Sequence, residues 1–254
     1  MMKKKLIFFD LDDTLLKKDK SVSNKTLEVL RLLQARGHKI VIATARNKVM
    51  TMDIAKMLSA DYTIINAGAY ILKRDTIIRD LVIPKEIVKT LVGLVSKDAK
   101  VLSFQTDEIL YTTDNKAPRS DIVEIKLDDI DNIGDVYKVL TKDLDIKKGE
   151  KIGDELNLNF TNYFGGGWSR FCDVLATKGM AMEFITKYEG MNLSDTIAFG
   201  DDLGDMGMII ASEVGVAMDN ALFEVKNVAN YICESNENDG VARFLDKYFN
   251  LGVY

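Results

Sequence analysis

The sequence predicts an α/β protein in which a doubly wound, Rossmann-like parallel sheet carries an inserted α+β domain. Short apolar runs alternate with helical patterns at both ends of the chain, as expected of a parallel sheet built by crossover connections. Between roughly residues 81 and 176 the pattern changes to the alternation of hairpins. We therefore assign residues 1–80 and 177–254 to the core and residues 81–176 to the insertion.

The first part of the chain predicts three strands joined by two helices. The strands are the apolar runs Leu6–Phe9, Ile40–Ala43 and Tyr62–Ile65. Leucines at helical spacing follow the possible caps Ser23 and Asn24 and stop at Gly37, and a second helix is expected over Val49–Leu58. Strands joined in this way lie parallel, with right-handed crossovers.

The same alternation returns near the C-terminus. The expected helices are Lys178–Tyr188, Asp205–Ala211, Leu222–Val228 and one after Gly240, and the expected strands are Thr196–Phe199, Val214–Ala217 and Tyr231–Cys233. In the insertion we expect hairpins around Asp107-Glu108 and around Gly165-Gly166-Gly167, and helices over Pro84–Val95 and Ile133–Thr141.

Composition narrows the class of protein. The chain has 254 residues, of which 47% are hydrophobic, 29% are charged and only 2 are Pro, so it can bury a large core and is not of the disordered type. A net charge of -5 supplies no general attraction to nucleic acid or to an anionic membrane. No apolar stretch approaches the ~20 residues of a membrane span. Cys172 and Cys233 are far apart and form no C-x-x-C, so we expect a reducing, cytoplasmic location.

Acidic side chains follow the first predicted strand, at the edge where parallel sheets bind ligands. Strand alternation places Asp10 and Asp12 on one side, where two carboxylates repel unless a cation or a shared proton intervenes. A capping cluster is an equally good interpretation of these residues alone. An EF-hand is a poorer one, because its sixth position needs Gly and Leu15 stands there.

A second acidic cluster, Gly200–Asp205, follows the strand Thr196–Phe199. Two acidic clusters at strand ends of one sheet can converge on a hard cation, for which magnesium (Mg2+) is the expected ion. Thr44 follows the second strand where an anion can dock at a helix start, although a simple cap is the commoner role. Lys178 adds a charge that can reach a phosphate, or that simply lies in solvent.

Together these motifs resemble those of the haloacid dehalogenase-like hydrolases. The motifs are Asp10-Leu11-Asp12-Asp13-Thr14, Thr44, Lys178-Gly179 and Gly200-Asp201-Asp202-x-x-Asp205, in that order. The position of the insertion, with Asn66-Ala67-Gly68-Ala69 before it and Val216–Ala221 after the fourth motif, is similar to the Cof-type branch with a class IIB cap.

The resemblance implies phosphoryl transfer through an aspartyl-phosphate, in a magnesium-dependent phosphatase acting on a small phosphorylated metabolite such as a sugar phosphate. Asp10 would be the nucleophile and Asp12 the general acid/base. Magnesium would be bound by Asp10, the Asp12 carbonyl, Asp201 and, in or just outside the first layer of ligands, Asp205. The phosphoryl group would be held by Thr44, the Ala45 amide and Lys178.

Three residues depart from the family pattern. Asp13 and Ala45 stand where the branch usually has Gly, and Gly204 replaces the usual Asn of the fourth motif. Asp13 should do little harm, whereas Ala45 and Gly204 motivate the alternative of a non-catalytic protein that binds a phosphorylated metabolite. A phosphotransferase or phosphomutase with the same intermediate is a second alternative, which only the inserted domain could distinguish.

Other chemistries find little support in the sequence. The single histidine, His38, lies in a predicted turn, so a Ser-His-Asp triad is not expected. A P-loop motif is absent, and the three glycines before Trp168 lack the strand-to-helix context of a dinucleotide site.

Overall fold

The computed structural model describes residues 3–114, 120–163 and 167–254. It divides into two compact units. The core unit comprises Met1–Ala45, Met52–Ile78 and Thr177–Tyr254, and the inserted unit comprises Arg46–Thr51 and Arg79–Ala176.

The core unit is built on a sheet of eight strands. In chain order these are β1 (Leu6–Phe9), β2 (Lys39–Ala43), β3 (Tyr62–Ile65), β4 (Tyr70–Lys73), β5 (Thr76–Asp80), β12 (Thr196–Gly200), β13 (Val214–Met218) and β14 (Tyr231–Cys233). The strands lie in the order β14-β13-β12-β1-β2-β3-β4-β5. The six strands from β14 to β3 are parallel, which confirms the predicted doubly wound core, whereas β4 runs antiparallel to β3.

The inserted unit has a sheet of six strands. They are β6 (Val101–Gln105), β7 (Leu110–Thr112), β8 (Ile122–Glu124), β9 (Lys138–Lys142), β10 (Leu158–Asn162) and β11 (Trp168–Asp173), in the order β10-β11-β9-β6-β7-β8. Both predicted hairpin pairs are present, β6 with β7 and β10 with β11. The glycines Gly165 and Gly166 of the second turn lie outside the described residues.

Eight α-helices complete the described part of the chain. They are α1 (Asn24–Ala35), α2 (Lys48–Met57), α3 (Lys85–Val95), α4 (Ile146–Leu156), α5 (Lys178–Tyr188), α6 (Met206–Ala211), α7 (Phe223–Val228) and α8 (Gly240–Phe249). The expected cap of α1 is confirmed, since the Ser23 side chain accepts from Thr26 N at 3.0 Å. Among the described residues, no helix is both long and apolar enough to cross a membrane.

The helix expected over Ile133–Thr141 is wrong. Its apolar residues recur at helical spacing, but residues 138–142 form β9, which pairs with β11 and β6 on either side. The helix of this region is α4, which the sequence analysis missed. Gly149 and Gly153 lower its helix propensity, yet a Cβ at Gly149 would lie 2.3 Å from the Phe160 ring. These glycines let the helix pack closely on β10.

Candidate active site

Asp10 lies at the end of the first strand, beside the strand that carries the second acidic cluster. Its backbone N–H donates to Phe199 O at 3.1 Å, which extends the β1–β12 pairing by one residue. The residue is 7% exposed. The parallel register of the two strands therefore brings Asp10 to the same edge as Asp201.

The loop after β12 folds around the Asp205 carboxylate. Oδ2 of Asp205 accepts from the backbone N–H groups of Asp201 at 3.0 Å and Asp202 at 3.1 Å, and the side chain is fully buried. A Cβ at Gly200 would lie 2.3 Å from the Cβ of Asp205, so only glycine fits at the end of β12. The loop thus holds Asp205 in one orientation.

Lys178 joins Asp10 to Asp205. It is the first residue of α5, is 6% exposed, and its Nζ lies 2.6 Å from Oδ1 of each carboxylate. A Cβ at the next residue, Gly179, would lie 2.9 Å from Gly207 C, so glycine permits α5 to approach α6. This close approach supports the position of Lys178.

The acidic cluster has more negative than positive groups. Carboxylate oxygens of Asp10, Asp201 and Asp205 lie within 4.8 Å of one another, with Lys178 as the ammonium among them. Three oxygen-donor side chains in this arrangement suit a hard divalent cation such as magnesium. A cation there would offset the repulsion between the carboxylates.

Burial is the main cause of the shifted carboxylate pKa values in this cluster, and neighbouring carboxylates add to the shift. Burial raises the pKa of Asp10 to about 8 against the opposing charge of Lys178, and Asp205 adds to the rise. Burial also raises the pKa of Asp201 to about 7, although Thr14 donates to this carboxylate. Burial lowers the pKa of Lys178, but the charges of Asp10 and Asp205 outweigh burial and shift it upward. Lys178 therefore stays charged at neutral pH.

Asp12 forms a different contact. Its Oδ1 lies 2.7 Å from Nζ of Lys20, and the side chains of Lys20 and Asp12 are 56% and 40% exposed. The structure thus brings Asp10, Lys178, Asp201 and Asp205 together but pairs the Asp12 carboxylate with a lysine in the following turn.

Thr44 and Ala45 lie where β2 ends. Thr44 is buried, its N–H donates to Ile64 O at 2.9 Å, and its carbonyl accepts from Ala67 N at 3.0 Å. Ala45 is exposed. Thr44 is therefore fixed by the backbone of β3 and of the turn that follows it.

Three polar residues of the core unit received no individual role in the sequence analysis. Thr14 donates from Oγ1 to Oδ1 of Asp201 at 2.6 Å, and Asn220 donates from Nδ2 to Asp13 O at 2.7 Å. Asn66 is 1% exposed, and neither polar atom of its side chain has a partner among the described residues. All three residues belong to the segments that carried the resemblance, so a sequence signal for them was present.

Two departures from the family pattern have a structural explanation. Asp13 has φ 57°, in the left-handed region that favours glycine and that Asp adopts more readily than most residues. A Cβ at Gly204 would meet nothing within 4 Å, and its φ is not positive. Neither Asp13 nor Gly204 is therefore incompatible with a catalytic site.

The remaining candidate groups have structural contacts. Nδ1 of His38 accepts from Lys5 N at 3.0 Å, its ring packs on Phe249, and burial lowers its pKa. Cys172 and Cys233 are free and buried, as expected of small apolar residues.

The carboxylates of the site follow two strands of a doubly wound sheet and the lysine begins a helix, an arrangement expected of the haloacid dehalogenase-like hydrolases that the motifs resemble. The model of the haloacid dehalogenase-like hydrolase family matches residues 7–245, and the chain belongs to this family.

Two curated relatives, both from Bacillus subtilis, are named 5-amino-6-(5-phospho-D-ribitylamino)uracil phosphatase. One is 29% identical to this chain and the match covers 97% of this chain and 98% of the relative; the other is 27% identical and the match covers 94% and 93%. The chain is therefore a phosphatase.

Solved structures show the same fold. A haloacid dehalogenase-like hydrolase from Bacteroides thetaiotaomicron superimposes with a TM-score of 0.81 at 25% identity, over 97% of this chain and all of that one. A sugar phosphatase of subclass IIB superimposes with a TM-score of 0.80 at 23% identity, over 99% of this chain and 100% of that chain.

Proposed function

We propose that this phosphatase hydrolyses a small phosphorylated metabolite, with magnesium, through an aspartyl-phosphate at Asp10. The observation that carries the proposal is the buried cluster in which Lys178 binds Oδ1 of Asp10 and Oδ1 of Asp205. The contact with Lys178 engages Oδ1 of Asp10 and leaves Oδ2 as the other oxygen of the carboxylate. That oxygen is the one we assign as nucleophile.

The proposed reaction has two steps with the same geometry at phosphorus. In the first, Oδ2 of Asp10 attacks phosphorus, the bond from phosphorus to the alcohol oxygen breaks, and Asp12 gives its proton to that oxygen. In the second, water attacks phosphorus, Asp12 takes the proton of the water, and the bond to Asp10 breaks to release phosphate. Asp12 must leave Lys20 to act in this way.

During both steps of the reaction, the phosphoryl oxygens need cationic groups and hydrogen-bond donors beside them. Lys178 provides a charge already directed at the nucleophile, so it reduces the repulsion between two anions before the reaction begins. Thr44 and the Ala45 amide are assigned to the remaining oxygens. The backbone contacts of Thr44 hold it in place for that role.

Magnesium would be held by Asp10, the Asp12 carbonyl and Asp201. When bound, it screens the charge of the phosphoryl group against the attacking carboxylate. Both oxygens of Asp205 already accept hydrogen bonds, from Lys178 and from the loop backbone. We therefore assign Asp205 to orienting Lys178 and the loop.

For the substrate we propose a phosphorylated sugar or sugar alcohol. The curated relatives named above act on a phosphoribityl compound, and their full-length match to this chain supports a substrate of similar size. The remote part of such a substrate contributes binding energy that helps to align the phosphoryl group.

The test is a phosphatase assay of the purified protein on p-nitrophenyl phosphate and a panel of sugar phosphates, with magnesium or with a chelator. Asp10→Asn should lose several orders of magnitude in turnover. Asp12→Asn should lose about 10²–10⁴-fold. Asp202→Asn is the matched control, because it changes an exposed acid of the same region and should keep wild-type turnover.

Wild-type turnover by Asp10→Asn would contradict the covalent mechanism. Undiminished activity in the presence of chelator would contradict the role of the metal. Equal activity of Asp12→Asn and wild type across pH would contradict the acid/base assignment.

A further inference from the structure

The turn that follows β13 contacts the loops after two neighbouring strands of the core unit. β13, β12 and β1 are adjacent and parallel, so their carboxyl ends share one edge of the sheet. Asn220 donates from Nδ2 to Asp13 O at 2.7 Å, in the turn after β1. Leu222 N–H donates to Asp201 O at 3.0 Å, in the loop after β12. The turn after β13 thus joins the two loops that carry acids of the site.

Asn220 is held in its turn by a second asparagine. Oδ1 of Asn220 accepts from the backbone N–H of Asn236 at 3.2 Å. Asn236 is buried, and its Nδ2 donates to Leu16 O at 2.8 Å. Leu16 N–H in turn donates to Leu11 O at 2.8 Å, which closes the turn after β1. The two asparagines therefore hold this turn at two points, Asp13 O and Leu16 O.

The turn after β1 contains Asp12, whose carbonyl we assign to magnesium. The next residue, Asp13, has φ 57°, a region that residues with a Cβ occupy less readily than glycine. Asn220 binds the carbonyl of this same residue. The hydrogen bond therefore supports the backbone conformation directly after Asp12.

The turn after β1 also orients Asp201, the other proposed ligand. Thr14 follows Asp13 and donates from Oγ1 to Oδ1 of Asp201 at 2.6 Å. A hydrogen bond that fixes the peptide group between Asp13 and Thr14 thereby helps to fix the Asp201 carboxylate. Displacement of this turn would disturb both the Asp12 carbonyl and Asp201.

We propose that Asn220 is a positioning residue for the magnesium site. It acts through the turn after β1 and is not itself a ligand, because its Nδ2 and Oδ1 are both engaged by backbone groups. This inference rests on the proposed function, which assigns magnesium to Asp10, the Asp12 carbonyl and Asp201. Replacing residues that orient metal ligands typically weakens metal binding 10- to 100-fold. We therefore expect Asn220 to control the affinity for magnesium.

The test measures magnesium binding to the purified protein without substrate, by isothermal titration calorimetry and by the rise in melting temperature with magnesium. Asn220→Ala should raise Kd for magnesium about 10- to 100-fold and reduce the magnesium-dependent rise in melting temperature accordingly. Asn220 is exposed and its φ is not positive, so alanine fits the backbone and the variant should fold. Asn220→Gln keeps the amide on a longer side chain and should retain more affinity than Asn220→Ala.

Kinetics separate positioning from general damage to the fold. The magnesium concentration for half-maximal hydrolysis of p-nitrophenyl phosphate should rise by the same factor as Kd, and excess magnesium should restore most of the turnover. A purely structural role would instead lower the melting temperature in chelator and lower kcat at every magnesium concentration. Asn227→Ala is the matched control, because it makes the same change at an exposed position of α7 and should keep the wild-type Kd.

Wild-type magnesium affinity in Asn220→Ala, or an equal loss in Asn227→Ala, would overturn this inference and leave the proposed function intact. A loss of turnover that excess magnesium does not restore would also overturn it, as would an unfolded Asn220→Ala. If the wild-type protein neither bound magnesium nor hydrolysed any ester, the proposed function itself would be contradicted.

Discussion

Among single residues, Asp10 and Asp201 couple the stability of the core unit to pH. Their pKa values are about 8 and about 7 in the folded protein, against an ordinary value of 3.8. Between about pH 4 and pH 8 the folded state therefore binds more protons than the unfolded state. By linkage, the free energy of unfolding contributed by these groups falls as pH rises through that window.

We predict that Asp201→Asn removes part of this pH dependence. In chelator, wild-type protein should lose melting temperature between pH 5.5 and pH 8, whereas Asp201→Asn should lose less and be the more stable protein at pH 8. The Asn side chain can still accept from Thr14, so the change removes mainly charge. Thermal unfolding at the two pH values measures this, with Asp202→Asn as control. Parallel pH profiles for wild type and Asp201→Asn would refute the proposed charge repulsion.

Gly200 matters for the site because it has no side chain, which leaves room for Asp205. Gly200→Ala would place a Cβ 2.3 Å from the Cβ of Asp205, so the loop must shift and Lys178 would lose one of its two carboxylate partners. We expect a loss of about 1–3 kcal/mol in the free energy of unfolding. Phosphatase turnover should fall at least tenfold. Urea unfolding and the p-nitrophenyl phosphate assay measure both effects.

Gly204→Ala is the matched control for Gly200→Ala, since nothing lies within 4 Å of a Cβ at that position. It should retain wild-type stability and turnover. Equal behaviour of the two alanine variants would show that contact with Asp205 does not control the loop.

At the level of elements, several predictions were correct to the residue. The bounds of β1, β3, β14 and α5 agree residue for residue with those expected from the sequence. The strands β1 and β3 are completely buried runs, for which the apolar signal is strong. For Ile133–Thr141 the helical spacing was misleading, because pairing with two neighbouring strands outweighs local periodicity.

The positions of the acids and the lysine of the candidate site could also be predicted from the sequence. Asp10, Lys178, Asp201 and Asp205 meet because each lies at a strand end or helix start that the sequence places at one edge of the sheet. The contact of Asp12 with Lys20 was not predictable. It depends on a turn in which Lys20 itself has φ 67°, a conformation that the sequence pattern does not specify.

The contact between α4 and β10 gives a prediction for an element that the sequence analysis missed. Gly149→Ala would bring a Cβ to 2.3 Å from the Phe160 ring, and we expect it to destabilise the protein by about 1–3 kcal/mol. Gly93→Ala in α3 is the control. It has open space around its Cβ and should stabilise the protein by up to about 1 kcal/mol. Chemical unfolding compares the two, and a stabilising Gly149→Ala would contradict the packing described for α4.

On the scale of the whole molecule, we propose that the core unit performs the chemistry and that the inserted unit selects the substrate. The acids and the lysine of the candidate site all belong to the core unit. Residues 81–176, the span first assigned to the insertion, are then expected to choose the substrate without performing the chemistry. The turns at Asp107-Glu108 and Gly165–Trp168 are the parts we expect to contact it, and Gly165 and Gly166 among them lie outside the described residues.

Trp168→Ala tests whether the inserted unit selects the substrate. Trp168 is the first residue of β11, and Lys142 Nζ lies 5.2 Å from the centre of its ring. The variant should change the ranking of sugar phosphates by kcat/KM, because remote contacts contribute binding energy. Hydrolysis of p-nitrophenyl phosphate should remain within about tenfold of wild type. Equal loss on all substrates in a folded, metal-binding variant would place chemistry in the inserted unit.

In the proposed mechanism, Asp10 carries the phosphoryl group during turnover. Acid quench of the protein during hydrolysis of a radiolabelled phosphate ester, followed by peptide mass spectrometry, tests this, with Asp12→Asn included to slow the second step. We predict a phosphoryl label on the peptide containing Asp10, sensitive to hydroxylamine as an acyl phosphate is, and absent from Asp10→Asn. Turnover at the wild-type rate with no label on Asp10 at any quench time, or a label on another residue, would contradict it.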